Sequence, residues 1–132
     1  YLHELFFRNV TSARSQVYTD SRAFMRLSSS FGEFKRWQDD FIASALAARD
    51  GWVITYGHTF LRNFVNAVVD DDASNVPVGC IPAIVIDMHT HSYHSSFGND
   101  RRAYVRSMMS MLDWNVIEER FERIDAMFDA LK

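Results

Sequence analysis

Apolar residues recur along this chain at two spacings, one typical of helices and one typical of strands. Between residues 28 and 48 they lie three and four positions apart, with polar residues between them, which predicts an amphipathic helix. Similar patterns predict helices in four further segments, at residues 1–10, 21–27, 101–112 and 116–131. Runs rich in β-branched and aromatic residues predict three strands, at residues 52–56, 64–69 and 83–87.

The order of these elements indicates the fold class. Helices come first, a small sheet follows, and helices close the chain, which is typical of an α+β fold. We place a boundary near residue 49, with a helical part at 1–48 and an α/β domain at 49–132. The acidic segment at 70–75 predicts a loop between the second and third strands.

Composition adds a few exclusions. A chain of 132 residues that is 48% hydrophobic can bury the core of one domain or of two small lobes. The net charge is only −3 and the basic residues are scattered, so charge gives no argument for nucleic-acid binding. The single cysteine, Cys80, excludes an internal disulfide. No apolar run approaches the roughly 20 residues that span a bilayer, so we expect no membrane association.

The candidate chemistry lies in one segment, IPAIVIDMHTHSYH at residues 81–94. An apolar run ends there in a carboxylate and three histidines, which are Asp87, His89, His91 and His94. Iron, manganese and zinc accept such ligands, and a further one would come from His3 or His58. The alternative is a polar loop whose histidines lie on the surface or only form hydrogen bonds.

Several segments together resemble the iron/manganese superoxide dismutases. IPAIVIDMHTHSYH, followed by RRAYVRSMMSMLDWNVIEERF at 101–121, resembles the family's metal-ligand strand, its arginine-rich helix and its Asn-Trp turn. Upstream, YLHELFF at 1–7 resembles a ligand-bearing helix, and SSSFGEFKRWQDDFIASALAARDGW at 28–52 resembles a Phe-Lys helix before a Gly-Trp strand. The resemblance implies a dismutase-like fold, in which 1–48 combines a remnant of the N-terminal helical domain with the first helix of the C-terminal domain.

The resemblance also implies three of the family's four protein ligands, which are His3, Asp87 and His91. The family's first histidine ligand and the tyrosine that gates substrate entry lie on an N-terminal helix without a counterpart in this sequence. Other family positions are changed. His89 replaces the tryptophan that walls the pocket, Thr90 the glutamate that braces the partner's ligand, and His94 a tyrosine of the dimer interface. The family's water-orienting glutamine would fall near Asp72.

These changes favour a vestigial metal site with no catalytic residues and no bound cofactor. If the site is functional, its cofactor would be iron or manganese. We therefore expect a catalytically degenerate protein with a structural role. The resemblance alone implies that it is a component of the mitochondrial small ribosomal subunit. Its partners would be other proteins, including a second dismutase-like subunit, with peripheral ribosomal RNA contact through Arg101, Arg102 and Arg106. One alternative is an active iron or manganese superoxide dismutase whose N-terminal helices are absent from this chain. Another is a structural zinc domain using His89 or His94 beside Asp87 and His91.

Overall fold

The computed structural model describes residues 1–12, 15–70 and 79–131. Its elements, in chain order, are α1 Leu2–Asn9, α2 Arg22–Phe31, α3 Phe34–Ala47, β1 Gly51–His58, β2 Asn63–Asp70, β3 Cys80–Asp87, α4 Thr90–Phe97, α5 Arg101–Ser110 and α6 Trp114–Ala130. The predicted α+β class is confirmed, with helices before and after a small antiparallel sheet. Residues 71–75 of the predicted loop, and with them Asp72, lie outside the described residues.

The single helix predicted over residues 28–48 is wrong, because the structure has two helices there. Gly32 separates α2 from α3 with a φ of 92°, a backbone conformation that residues with a side chain rarely adopt. α2 begins within the separate helix predicted at residues 21–27, and the Ser21 side chain caps it by accepting a hydrogen bond from the Phe24 amide. The apolar spacing continues across the break, which is why the pattern reads as one helix.

The three strands form an antiparallel sheet in the order β2-β1-β3. β1 is central and nearly all buried, which agrees with its apolar composition. In the sheet register Trp52 pairs with both Val69 and Asp87, so the ends of the outer strands meet beside the start of β1. The carboxylate that follows the apolar run of β3 therefore lies at one end of the sheet.

Helices cover the sheet and fix its ends. α3 packs on β1 and β2, whereas α1 and α6 pack on β3. α6 also approaches β1 closely at Gly57, where an added Cβ would lie only 2.6 Å from a methyl carbon of Ile124. Among the described residues, no helix has both the length and the apolar character that crossing a membrane requires.

The alternative of a short polar loop that carries the histidines after the strand needs correction. The structure forms α4 over Thr90–Phe97, so His91 and His94 lie on a helix. Only Tyr93 of this helix is buried. An eight-residue helix with one buried side chain has no apolar stripe, so the sequence pattern gave no indication of it.

Candidate metal centre

Asp87 is the last residue of β3 and its side chain is only 3% exposed. The buried residues before it place the strand end inside the fold, and two hydrogen bonds to backbone carbonyls fix that end. The Tyr104 hydroxyl donates to the Asp87 carbonyl at 2.6 Å, and the Met88 amide donates to the Gly51 carbonyl at 2.8 Å. Burial, above all, raises the pKa of Tyr104 well beyond its usual range, so the hydroxyl keeps its proton and remains a donor.

The two carboxylate oxygens of Asp87 have different surroundings. Oδ1 lies 2.8 Å from the His89 amide nitrogen and 2.6 Å from His89 Nδ1. Oδ2 faces two other imidazoles, with His91 Nε2 at 3.4 Å and His3 Nε2 at 3.9 Å. One oxygen is therefore held by hydrogen bonds, and the other is directed at a pair of potential metal ligands.

The two imidazoles that face Oδ2 come from helices on either side of the strand end. His3 lies on α1 and His91 in the first turn of α4. Their side chains are 60% and 68% exposed, respectively. The Asp50 carboxylate holds the start of α4, since it accepts hydrogen bonds from the amide and the hydroxyl of Thr90, both at 3.0 Å. These two bonds lower the pKa of Asp50.

α1 is fixed to the fold by a buried polar group at its last residue. The Asn9 side chain donates to the Val85 carbonyl at 3.0 Å and accepts from the Val85 amide at 2.7 Å. Arg120 of α6 joins the group by donating to Asn9 Oδ1, to the Ala83 carbonyl and to the Leu5 carbonyl. Burial lowers the pKa of Arg120 to about 10, which still leaves it charged at neutral pH.

His3, Asp87 and His91 together could hold a metal ion. Their ligand atoms all lie within 4.8 Å of one another. Two atoms bound to one ion at about 2.1 Å each lie roughly 3–4.2 Å apart, and both imidazole–carboxylate distances fall in that range. Two imidazoles and one carboxylate suit iron, manganese or zinc. The residues present therefore fit such an ion.

The other histidines proposed from the sequence are not members of this cluster. His89 is directed at Oδ1 of Asp87, not at the group around Oδ2. His94 is exposed on α4. His58 lies at the far end of β1, where Nδ1 accepts hydrogen bonds from the Phe60 and Leu61 amides in the hairpin turn. Of the two suggested sources of an additional ligand, His3 and His58, the structure brings only His3 to Asp87.

A cleft opens beside the three potential ligands. Its volume is about 480 Å³, and it extends from His3, Asp87 and His91 to the apolar side chains of Phe7, Val10 and Met108. Phe7 is largely exposed at its rim. The outer face of the centre is therefore open to solvent or to a small molecule, whereas its inner face is the end of the sheet.

Sequence comparison gives an independent view of the chain. A family model of the C-terminal domain of iron/manganese superoxide dismutases matches residues 20–120. A manganese superoxide dismutase of Halobacterium salinarum is 29% identical over 128 residues, which are 97% of this chain and 63% of that protein. An iron superoxide dismutase of Cupriavidus metallidurans is 33% identical over 91% of this chain and 60% of that protein. An iron superoxide dismutase of Aquifex pyrophilus is 32% identical over 99% of this chain and 61% of that protein. The chain thus spans about three fifths of the length of these curated relatives.

Proposed function

Because the chain belongs to the iron/manganese superoxide dismutase family, we propose that it binds one iron or manganese ion through His3, Asp87 and His91 and acts in superoxide dismutation. The observation that carries the proposal is the convergence of these side chains from α1, β3 and α4 on one point. The relatives' names, which specify iron or manganese, support the choice of metal.

Dismutation converts two superoxide ions and two protons into one dioxygen and one hydrogen peroxide. When bound, iron or manganese supplies the redox chemistry by alternating between its divalent and trivalent states. The residues of this chain have separate tasks. Asp87 contributes a negative charge from a buried position, whereas His3 and His91 contribute neutral nitrogens from the cleft side. The cleft leaves space for a small anion or water beside them.

A second candidate is a structural role without catalysis, and one contact favours it. Thr90 occupies the position at which the resembled family carries the glutamate that braces a partner's ligand. Here both the amide and the hydroxyl of Thr90 bind Asp50 of the same chain, so they serve α4 itself. This contact supports a domain in which the residue at the family's dimer-bracing position stabilises its own chain and no longer braces a partner.

The mitochondrial small ribosomal subunit remains a prediction from resemblance, as do a mitochondrial location and contact with ribosomal RNA. Of the three arginines proposed for RNA contact, Arg101 is engaged inside the fold. Its guanidinium donates to carbonyls at the end of α3, including those of Leu46 and Ala48, and lies over the ring of Tyr93. Arg102 and Arg106 are exposed on α5 and would have to supply such a contact.

Metal content and dismutation, measured on the same purified sample, test the proposal. We expect near-stoichiometric iron or manganese, with activity that is lost in His91→Ala. The matched control is His94→Ala, which removes an exposed histidine of the same helix that lies outside the cluster. Bound metal without activity would support the structural role, and absence of metal after reconstitution with either ion would overturn the metal site.

A further inference from the structure

His89 is a buried imidazole beside the metal centre that the proposed ligand set does not use. Its side chain is 10% exposed, although Thr90 and His91, the next two residues, are open to solvent. The ring packs against Trp52 edge to face, with the centroids 5.3 Å apart, and lies parallel to the ring of His91 at the same distance. These contacts restrict its rotation and keep Nδ1 beside Asp87.

We propose that His89 is a positioning residue that fixes the Asp87 carboxylate so that only Oδ2 is available to a metal. This inference rests on the proposed metal site. The backbone amide and the ring Nδ1 of His89 both reach Oδ1, at 2.8 and 2.6 Å. A carboxylate oxygen has about two lone-pair directions, so these donors occupy the acceptor capacity of Oδ1.

The donor role of Nδ1 follows from its partner, the Asp87 carboxylate. A carboxylate accepts hydrogen bonds and cannot donate them when ionised, so Nδ1 of His89 must carry the proton. The same contact that orients Asp87 therefore places a proton on Nδ1 of His89. Hydrogen bonds from outer residues to a ligand commonly set the ligand's orientation and change metal affinity by about 10- to 100-fold.

The geometry also separates His89 from the ligands themselves. The ligand atoms that cluster within 4.8 Å belong to His3, Asp87 and His91. His89 reaches the opposite oxygen of the same carboxylate, so it acts on the centre through Asp87. The backbone donor to Oδ1 is present whatever residue stands at position 89, provided that it is not proline. The ring donor is specific to the histidine, and this is the contact that substitution can remove.

Three substitutions at position 89 test the role. His89→Asn places an amide nitrogen close to the position of Nδ1 and keeps a donor for Oδ1. His89→Phe keeps a ring against Trp52 but removes the donor, and His89→Gln moves the donor one bond further out. His94→Phe, on the exposed side of α4, is the matched control.

Two readouts on the full chain distinguish these variants. Mn²⁺ affinity is measured from the electron paramagnetic resonance signal of free Mn²⁺, and the geometry of the site is followed through the visible absorption of bound Co²⁺. We expect His89→Phe and His89→Gln to weaken Mn²⁺ binding by about 10-fold or more and to change the Co²⁺ spectrum. His89→Asn should restore affinity to within about threefold of the original protein, and His94→Phe should change neither readout.

The outcomes separate this inference from the proposed function. If the unsubstituted protein binds neither Mn²⁺ nor Co²⁺, the metal site itself is overturned, and the inference with it. If it binds both, and His89→Phe binds them with unchanged affinity and spectrum, only the role of His89 is overturned. Circular dichroism shows whether His89→Phe folds. If it does not, His89→Asn and His89→Gln are compared, and equal Mn²⁺ affinities of these two variants would overturn the role of His89.

Discussion

The metal centre has an inner half and an outer half that are built differently. The inner half is Asp87, which is 3% exposed and has its backbone and one carboxylate oxygen fixed by hydrogen bonds. The outer half consists of His3 and His91, each more than half exposed and each carried by a helix of eight residues. The carboxylate is thus preorganised by the core, whereas the imidazoles depend on the attachment of two short helices.

The difference indicates how the centre binds a metal. A buried carboxylate that keeps its charge needs compensation, and a cation at Oδ2 would supply it. Exposed imidazoles remain solvated without a metal and can adjust when one binds. We therefore expect substitutions in the inner half to affect metal affinity most and those in the helix attachments to affect stability most.

The largest effect should come from Asp87→Asn, which keeps the size of the side chain and removes its charge. We expect the Mn²⁺ affinity to fall at least about 100-fold, against about 10-fold for His91→Gln, because an amide oxygen or water can replace an exposed imidazole. Titration followed by electron paramagnetic resonance measures both. Equal losses in the two variants would contradict the division into two halves.

The next effect concerns the attachment of α1. Asn9→Leu removes both hydrogen bonds to Val85 and the acceptor of Arg120, so we expect the free energy of unfolding to fall by about 2–3 kcal/mol. Chemical denaturation measures it, with the exposed Asn99→Ala as control. Hydrogen exchange should then be faster in α1 than in β1, because the outer half loosens first. Uniformly faster exchange across both elements would argue against a separately attached helix.

A smaller effect is expected when the strand end loses its hydroxyl donor. Tyr104→Phe leaves the Asp87 carbonyl without that bond and should lower the free energy of unfolding by about 1 kcal/mol. Tyr56→Phe, a buried tyrosine near the opposite end of β1, serves as control. The Mn²⁺ affinity of Tyr104→Phe should also fall, because Asp87 is then less firmly placed. If only stability changes, Tyr104 does not contribute to preorganisation.

The smallest effect should follow from Thr90→Val, which removes the hydroxyl bond to Asp50 but keeps the amide bond. We expect the melting temperature to fall by at most about 3 °C at neutral pH. The folded-state pKa of Asp50 lies below its unfolded value, so its stabilisation is present above the unfolded pKa and is lost as pH falls through the folded one. The difference between Thr90→Val and the original protein should therefore shrink in acid. A difference that persists unchanged at low pH would assign the effect to packing.

The elements with strong patterns were predictable from the sequence. The apolar run before Asp87 identified a buried strand with a polar end, and the spacing of Ile117, Phe121 and Ile124 identified α6. The spacing of apolar residues did not predict two other features. It continues through Gly32, where a positive φ ends α2, and it is missing from α4, which has a single buried side chain.

The candidate centre depended on information that periodicity does not contain. His3 and His91 were selected through a family resemblance, since their spacing to Asp87 along the chain does not place them in space. The sequence does not predict the buried pair of Asn9 and Arg120, because polar residues among apolar ones are usually solvent-facing and only the tertiary structure buries these two together. The bond between His89 and Asp87 was also hidden in the sequence, because histidines two and four positions after a carboxylate are equally plausible ligands there.

The polar group around Asn9 has a consequence beyond holding α1. β3 is an edge strand of the sheet that the described residues form, and an uncovered strand edge is a template on which other chains can add strands. Asn9 and Arg120 occupy the outward amide and carbonyl of Val85 and the carbonyl of Ala83. These are the groups through which a foreign strand would pair. The helix that presents His3 therefore also covers the pairing groups of Val85, and together with Arg120 of α6 it blocks part of this edge against intermolecular β-addition.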